Sequence, residues 1–204
     1  MTLHAETSRA RDDAQRRKIV ETAERLYREI GFQKTTVADI ARELHMSPGN
    51  VYRFFSAKSE INAAVAEQWI GEVESAAREI ANRPGSAADR LRALVCSNEA
   101  MNTARYTSER KIHDMVAVAL DEQWPIIDQH IEHVEALLTA VIAAGMENGE
   151  FVKGDAHLAA RLVHTACMRF CHPRLMVEYA YRVEPTSAQM IGFCIAALRC
   201  GAGF

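Results

Sequence analysis

The 204-residue sequence predicts an all-α protein, and three observations carry that prediction. Apolar residues recur at spacings of three and four in almost every segment, which places them on one face of a helix. Strand-like alternation of apolar and polar residues is absent. The ten glycines and five prolines fall mostly between the periodic stretches, where they end helices rather than interrupt them. With 49% hydrophobic and 25% charged residues, the chain has ordinary globular composition and enough apolar side chains for a sizeable core.

Taken in order, residues 1 to about 10 read as a frayed start. The first helix is expected from Asp12 to Ile30, with Ile19, Ala23, Leu26, Tyr27 and Ile30 as its stripe and Gly31 as its stop. Thr36-Val37-Ala38-Asp39 reads as a capping box opening a second helix with Val37, Ile40, Ala41 and Leu44 on one face. That helix ends near His45. Ser47 is a good N-cap and Pro48 suits a first helical position, so a short third helix is expected from Pro48 to Phe55. Ser56 is expected to cap a long fourth helix reaching Ala81, and Asn82-Arg83-Pro84-Gly85-Ser86 is the clearest break in the chain. Further helices are expected over Ala87–Arg105, Ser108–Asp121, Pro125–Glu147 and Asp155–Cys171. Pro173 disfavours helical geometry at His172 and removes a backbone donor. A short piece to Tyr181 and a last helix, Ser187–Arg199, complete the chain.

Charge is distributed unevenly. Residues 1–60 hold 11 Lys and Arg against 9 Asp and Glu, a net of +2, while the remainder holds 13 against 18, a net of −5. Arg9, Arg11, Arg16, Arg17 and Lys18 crowd the start of the first helix, a cation-rich end suited to a polyanion, although a solvated helix face has the same composition. The longest apolar runs, such as Met115–Leu120 and Val141–Ala144, fall far short of the ~18–20 residues of a membrane span. The polar N-terminus lacks an apolar signal core, so a cytoplasmic protein with reduced thiols is expected; the odd number of cysteines, five, fits small buried residues.

The second helix, the turn His45-Met46-Ser47 and the third helix together form a helix-turn-helix pattern. Val37, Ile40, Ala41, Leu44, Met46, Val51 and Phe54 or Phe55 would pack it against the first helix. Ser47, Pro48, Gly49, Asn50, Tyr52 and Arg53 would then face outward. Gly49 lets backbone approach a duplex, Asn50 can pair with an adenine edge, Arg53 with guanine or phosphate, and Tyr52 with phosphate. Backbone amides near Thr35, Thr36 and Val37, and near Ala57 and Lys58, are candidate phosphate sites, with Lys58 and Arg17 adding charge.

Two stretches, GFQKTTVADIAREL at 31–44 and MSPGNVYRFFSAKSEI at 46–61, resemble the TetR/AcrR family of transcriptional regulators. The likeness covers roughly residues 12–62. His45 stands where the family often has Gly, and Phe54 where Tyr or His is frequent. The resemblance implies an all-helical homodimer with a DNA-binding head, here residues 1–58, and a ligand-binding and dimerisation bundle, residues 59–204. It also implies that a small-molecule effector, partly apolar, releases the protein from double-stranded operator DNA, and that the last two long helices form a four-helix interface. No cofactor or metal is implied.

On that footing Val163, Phe170, Ile191, Cys194, Ile195 and Leu198 are expected at a two-fold interface, although such stripes equally suit an ordinary core. Met101, Tyr106, His113, Met115, Trp124 and Met168 are expected to line a ligand pocket. His164, Cys167, Cys171 and His172 have the spacing of soft-metal ligands or a thiol sensor, but one helix rarely supplies a whole site, and buried cysteines are the plainer reading. His130 and His133 read as a solvated face. An enzyme is disfavoured, since no phosphate loop, nucleophile elbow or metal pair is present. An interaction module without DNA binding is disfavoured by the Ser47–Asn50 tip.

Overall fold

A computed structural model describes residues 2–108 and 110–201, with side chains from Arg9 onward. The described residues form ten helices and no strand: α1 (Thr2–Ile30), α2 (Val37–Glu43), α3 (Pro48–Tyr52), α4 (Lys58–Ala81), α5 (Ala87–Ser108), α6 (Arg110–Asp121), α7 (Pro125–Glu147), α8 (Ala156–Cys171), α9 (Pro173–Glu178) and α10 (Ser187–Cys200). They pack as two compact units, Met1–Trp69 with Glu109–Ile126, and Ile70–Ser108 with Ile127–Phe204.

In the first unit, the α1 stripe of Ile19, Ala23, Leu26 and Tyr27 meets Val37, Ile40 and Ala41 of α2, Val51 of α3, Phe55 and the start of α4. Gly31, at φ +94°, turns the chain out of α1 in a backbone conformation few other residues adopt freely. Ile112 and Met115 of α6 complete this core. Glu24 is buried among these apolar neighbours. Its carboxylate accepts from the Trp69 indole at 2.6 Å, Arg28 at 2.7 Å and Gln68 at 3.2 Å, tying α1 to α4.

The second unit is built on α5, α7, α8 and α10, with Leu91, Ile142, Ala160 and Ile191 among its buried residues. Gly145 is where helices crowd: an added Cβ would lie 2.4 Å from the Phe151 ring and 2.8 Å from Ala87 Cβ. The carboxylate of Glu150 accepts from the Ala87 and Ala88 amides, satisfying two free donors at the start of α5.

Several boundaries move from their expected places. The backbone of α1 starts at Thr2 rather than Asp12; Met1 and the side chains of residues 2–8 lie outside those described, so the frayed start is not addressed. The third helix stops at Tyr52, short of Phe55. Ser56 sits two residues before α4, and it is Glu60 that reaches back to it, accepting from its amide at 2.8 Å and its hydroxyl at 2.6 Å. Pro173 acts as expected: α8 ends at Cys171, and His172, in extended geometry, becomes the cap of α9 by accepting from the amides of Arg174 and Leu175.

Candidate nucleic-acid interface

The geometry of α3 follows from its caps. Ser47, in extended conformation, accepts from the Asn50 amide at 3.3 Å, and Pro48 occupies the first turn. Five residues supply too few internal hydrogen bonds to hold a helix alone, so packing must fix it. Val51 is fully buried beneath it, and Met46 donates its amide to the Ala41 carbonyl at 2.8 Å. Between α2 and α3 the chain turns at His45, with φ +53°, the left-handed conformation that a glycine at this position adopts without strain.

This arrangement leaves Ser47, Pro48, Gly49, Asn50, Tyr52 and Arg53 exposed, Tyr52 at 49%. The Arg53 guanidinium lies 5.9 Å from the Phe54 ring centroid. Arg16 stacks 4.1 Å from the centroid of the Phe55 ring and donates to the Phe54 carbonyl, so one cation of the basic α1 face braces the end of α3. The sequence shows the charge at Arg16 but not this role, because the contact joins residues 38 apart. Arg17 remains exposed beside it.

Thr36 and Asp39 form the expected capping box. The Thr36 hydroxyl donates to Asp39 Oδ2 at 2.6 Å, the Thr36 amide donates at 2.9 Å, and Asp39 N–H returns a bond to Thr36 Oγ1 at 3.1 Å. These bonds from Thr36, aided by Arg42 at 2.6 Å, hold the Asp39 carboxyl down to about 2. Thr35 and Lys58 are placed differently from their expected roles. Thr35 is fully buried, and both its amide and its hydroxyl donate to the Gly31 carbonyl. Val37 is buried as well, which leaves it only a backbone contact to offer. Lys58 donates to the Phe32 carbonyl at 2.6 Å and the Gln33 carbonyl at 3.5 Å, and burial holds its ammonium below the usual lysine range. It stitches the turn after α1 to the start of α4.

The six residues expected at a two-fold interface lie in the interior of the single chain. Val163, Phe170, Ile191, Cys194, Ile195 and Leu198 are all buried within the single chain, and all but Phe170 belong to one core cluster. Periodicity picked out the inward stripe. The outward apolar residues of the same helices are Leu158 and Leu162 of α8 and Phe193 of α10, the last two 50% and 73% exposed.

The six residues expected to line a pocket are divided equally between the two units. His113, Met115 and Trp124 pack in the first unit, Met115 fully buried in its core. Met101, Tyr106 and Met168 belong to the second. Met101 lines a crevice between α4 and α5 with Val73, Ile80, Leu94, Ser97 and Asn98, whose interior of about 10 Å³ is room for a single water. His130 and His133 are not merely solvated: their Nδ1 atoms each lie 3.0 Å from a different oxygen of Glu74. His164 pairs with Glu135 at 3.2 Å. Among the described residues no group of three or more His, Cys, Asp or Glu is placed to hold a metal ion, and no helix is long and apolar enough to cross a membrane.

A short, capped, outward helix set on a tight turn above a three-helix core is the reading head of a helix-turn-helix DNA-binding regulator. Residues 19–65 match the family of bacterial regulatory proteins of tetR type, and residues 87–188, half of the chain, match the tetracyclin repressor-like C-terminal domain. The chain belongs to the TetR family and is a ligand-responsive DNA-binding transcriptional regulator.

Solved structures of similar fold include a TetR/AcrR regulator from Thermobifida fusca, with a TM-score of 0.64 at 19% identity over 92% of this chain and 98% of that one. A transcriptional regulator from Cytophaga hutchinsonii reaches 0.65 at 19% identity, covering 89% and 96%. FadR from Bacillus subtilis, in complex with stearoyl-CoA, reaches 0.58 at 16% identity, covering 90% and 97%. No curated protein sequence matches the chain.

Proposed function

We propose that the protein is a homodimeric repressor that holds operator DNA through α3 and lets go when a small molecule binds its C-terminal unit. The carrying observation is the sidedness of α3: Val51 is fully buried while Asn50, Tyr52 and Arg53 stand outside. In this reading residues 1–58 are the DNA-binding part and 59–204 the ligand-binding and dimerisation part. Asn50 and Arg53 read base edges from the major groove, Gly49 admits close backbone approach, and Ser47, Pro48, Tyr52 and Arg17 position the head on phosphates. Thr36 and the Val37 amide face phosphate at the start of α2, while Thr35 and Lys58 act by fixing the turns behind them.

The two-fold partner is met by the outer faces of α8 and α10, through Leu158, Leu162 and Phe193, in place of the buried stripe. Two heads on one dimer then reach half-sites about one helical turn apart, ~34–36 Å. For the effector, the apolar wall of Val73, Ile80, Leu94 and Met101, with Ser97 and Asn98 as polar tips, suits a partly apolar molecule. The stearoyl-CoA held by the Bacillus subtilis regulator makes a fatty acyl thioester one class to try. Anything larger than water must widen this crevice, and an effector acts only through its different affinity for the two states. The protein works in the cytoplasm by binding rather than by catalysis.

The test is binding to the DNA upstream of its own gene. Asn50→Ala and Arg53→Ala should each weaken specific binding by ~1–3 kcal/mol per half-site, and affinity should fall steeply with salt. Unchanged operator affinity in both variants would remove α3 as the reader.

A further inference from the structure

The crevice between α4 and α5 has a charged end. On α5, Leu94, Ser97, Asn98, Met101 and Arg105 recur at helical spacing and share one face. On α4, Val73, Ala76, Ala77 and Ile80 do the same, with Glu72 at the edge of that face. All of these but Arg105 and Glu72 line the crevice. The two helices run in opposite directions. Near the turn that joins them Arg90 donates to the Ala81 carbonyl at 3.0 Å, and at the far end the Arg105 guanidinium donates to a Glu72 oxygen at 2.6 Å. At about 1.5 Å a residue, the face from Leu94 to Arg105 is ~16 Å long. A mostly apolar wall therefore leads from buried Leu94 and Ile80 to an ion pair.

The partners in that pair are unequal. The Arg105 side chain is 17% exposed and the Glu72 side chain 56%. A covered guanidinium is costly to leave without an anion, whereas an exposed carboxylate loses little when it swings into water. Glu72 is thus the replaceable member. Glu74, the next acidic residue of α4, is already engaged, with Nδ1 of His130 and of His133 each 3.0 Å from its carboxylate. A cationic ligand would have to draw Glu72 away and strand the covered charge. An anionic ligand takes over Arg105 and strands nothing. A guanidinium also meets a carboxylate with two parallel N–H donors, a match of shape as well as charge.

We infer that Arg105 binds the head group of the effector, and that the effector is an apolar chain ending in a carboxylate. This rests on the effector reading given above for the same crevice. The carboxylate replaces Glu72 on the Arg105 guanidinium, and the chain lies against Val73, Leu94 and Met101 as α4 and α5 part to admit it.

The experiment is calorimetric titration of the full-length protein with decanoate and with decanol, which share a chain and differ in charge. Decanoate should bind the wild type more tightly than decanol. Arg105→Gln should weaken decanoate by about tenfold or more and leave decanol unchanged. Glu72→Gln, which removes the competing carboxylate, should tighten decanoate and again leave decanol unchanged; it decides the matter if Arg105→Gln does not fold. Ala77→Leu, which narrows the crevice, should weaken both. Decanoate that does not bind, decanol that binds as tightly, decanoate affinity unaltered by Glu72→Gln, or both affinities unaltered by Ala77→Leu would each overturn the assignment. Operator release is read separately: decanol that frees the protein from its operator while decanoate does not would keep the regulator reading and remove the carboxylate from it.

Discussion

The two ends of the chain hide and display their residues by different means. In the first unit a five-residue helix and the residue on either side of it leave six positions exposed, because the Ser47 cap, the turn at His45 and the buried Val51 fix which way it faces. In the second, α8 and α10 are 16 and 14 residues long, with apolar residues on more than one side of each. One apolar side closes the core and the other stays outside. Local chemistry therefore dictates which face of α3 is outward, whereas only the packing of the whole unit decides which face of α8 or α10 is free.

The sharpest way to break this comparison is to attack both faces of the same helices. Ile191→Ala, at a fully buried site of α10, should cost about 2–5 kcal/mol of folding stability, read as a lower denaturant midpoint. Leu162→Glu with Phe193→Glu, on the outer faces, should leave each chain folded but turn the dimer into a monomer on a sizing column with light scattering. A double variant that stays dimeric would move the interface elsewhere. A monomer that also melts early would show that these faces belong to the core after all.

The N-terminal unit has its own concealed feature. Glu24 sits on the buried side of α1 and is held by the Trp69 indole, Arg28 and Gln68. Glu24→Ala removes the acceptor of a buried N–H and should destabilise the unit by about 1–3 kcal/mol, measurable by chemical denaturation. A Glu24→Gln protein, which keeps an acceptor oxygen, should recover part of that loss. If alanine and glutamine are equally mild, the carboxylate is an ornament of α1 and not its tie to α4.

Sequence alone went far where structure is local. The capping box at Thr36, the Ser47-Pro48 start of α3 and the break at Pro173 are set by neighbours within four residues, and each is found where the sequence places it. What depends on distant partners was not legible there. Lys58 reads as a free cation, and its bond to the Phe32 carbonyl, 26 residues away, has no local signal. The stripe through Ile191, Cys194 and Leu198 looks like an interface because helical period marks an apolar face without naming its partner. His130 and His133 look solvated until α4 delivers Glu74. Only a signal pairing residues far apart in the chain would have found these contacts.

The smallest expected effect is also the most local, and it lies in the cap of α2. The Asp39 carboxyl titrates at about 2 in the folded chain, against ~3.9 in an unfolded one. A folded-state value below the unfolded one means the carboxylate stabilises the fold fully above pH ~4 and loses that contribution as pH falls towards 2. Because Asp39 stands at the solvent edge of the box, its share of the acid limb should be slight beside that of the whole chain. The comparison that isolates it is the difference between wild type and Asp39→Asn. The gap in melting midpoint should be present at pH 6 and shrink steadily below pH 4, as the wild-type carboxyl is protonated. Thr36→Ala, which removes the hydroxyl that Asp39 accepts from, should bring the same shrinkage on top of a cap loss of about 1 kcal/mol. A gap that stays constant to pH 2 would mean the box holds α2 by shape alone, with no part played by its charge.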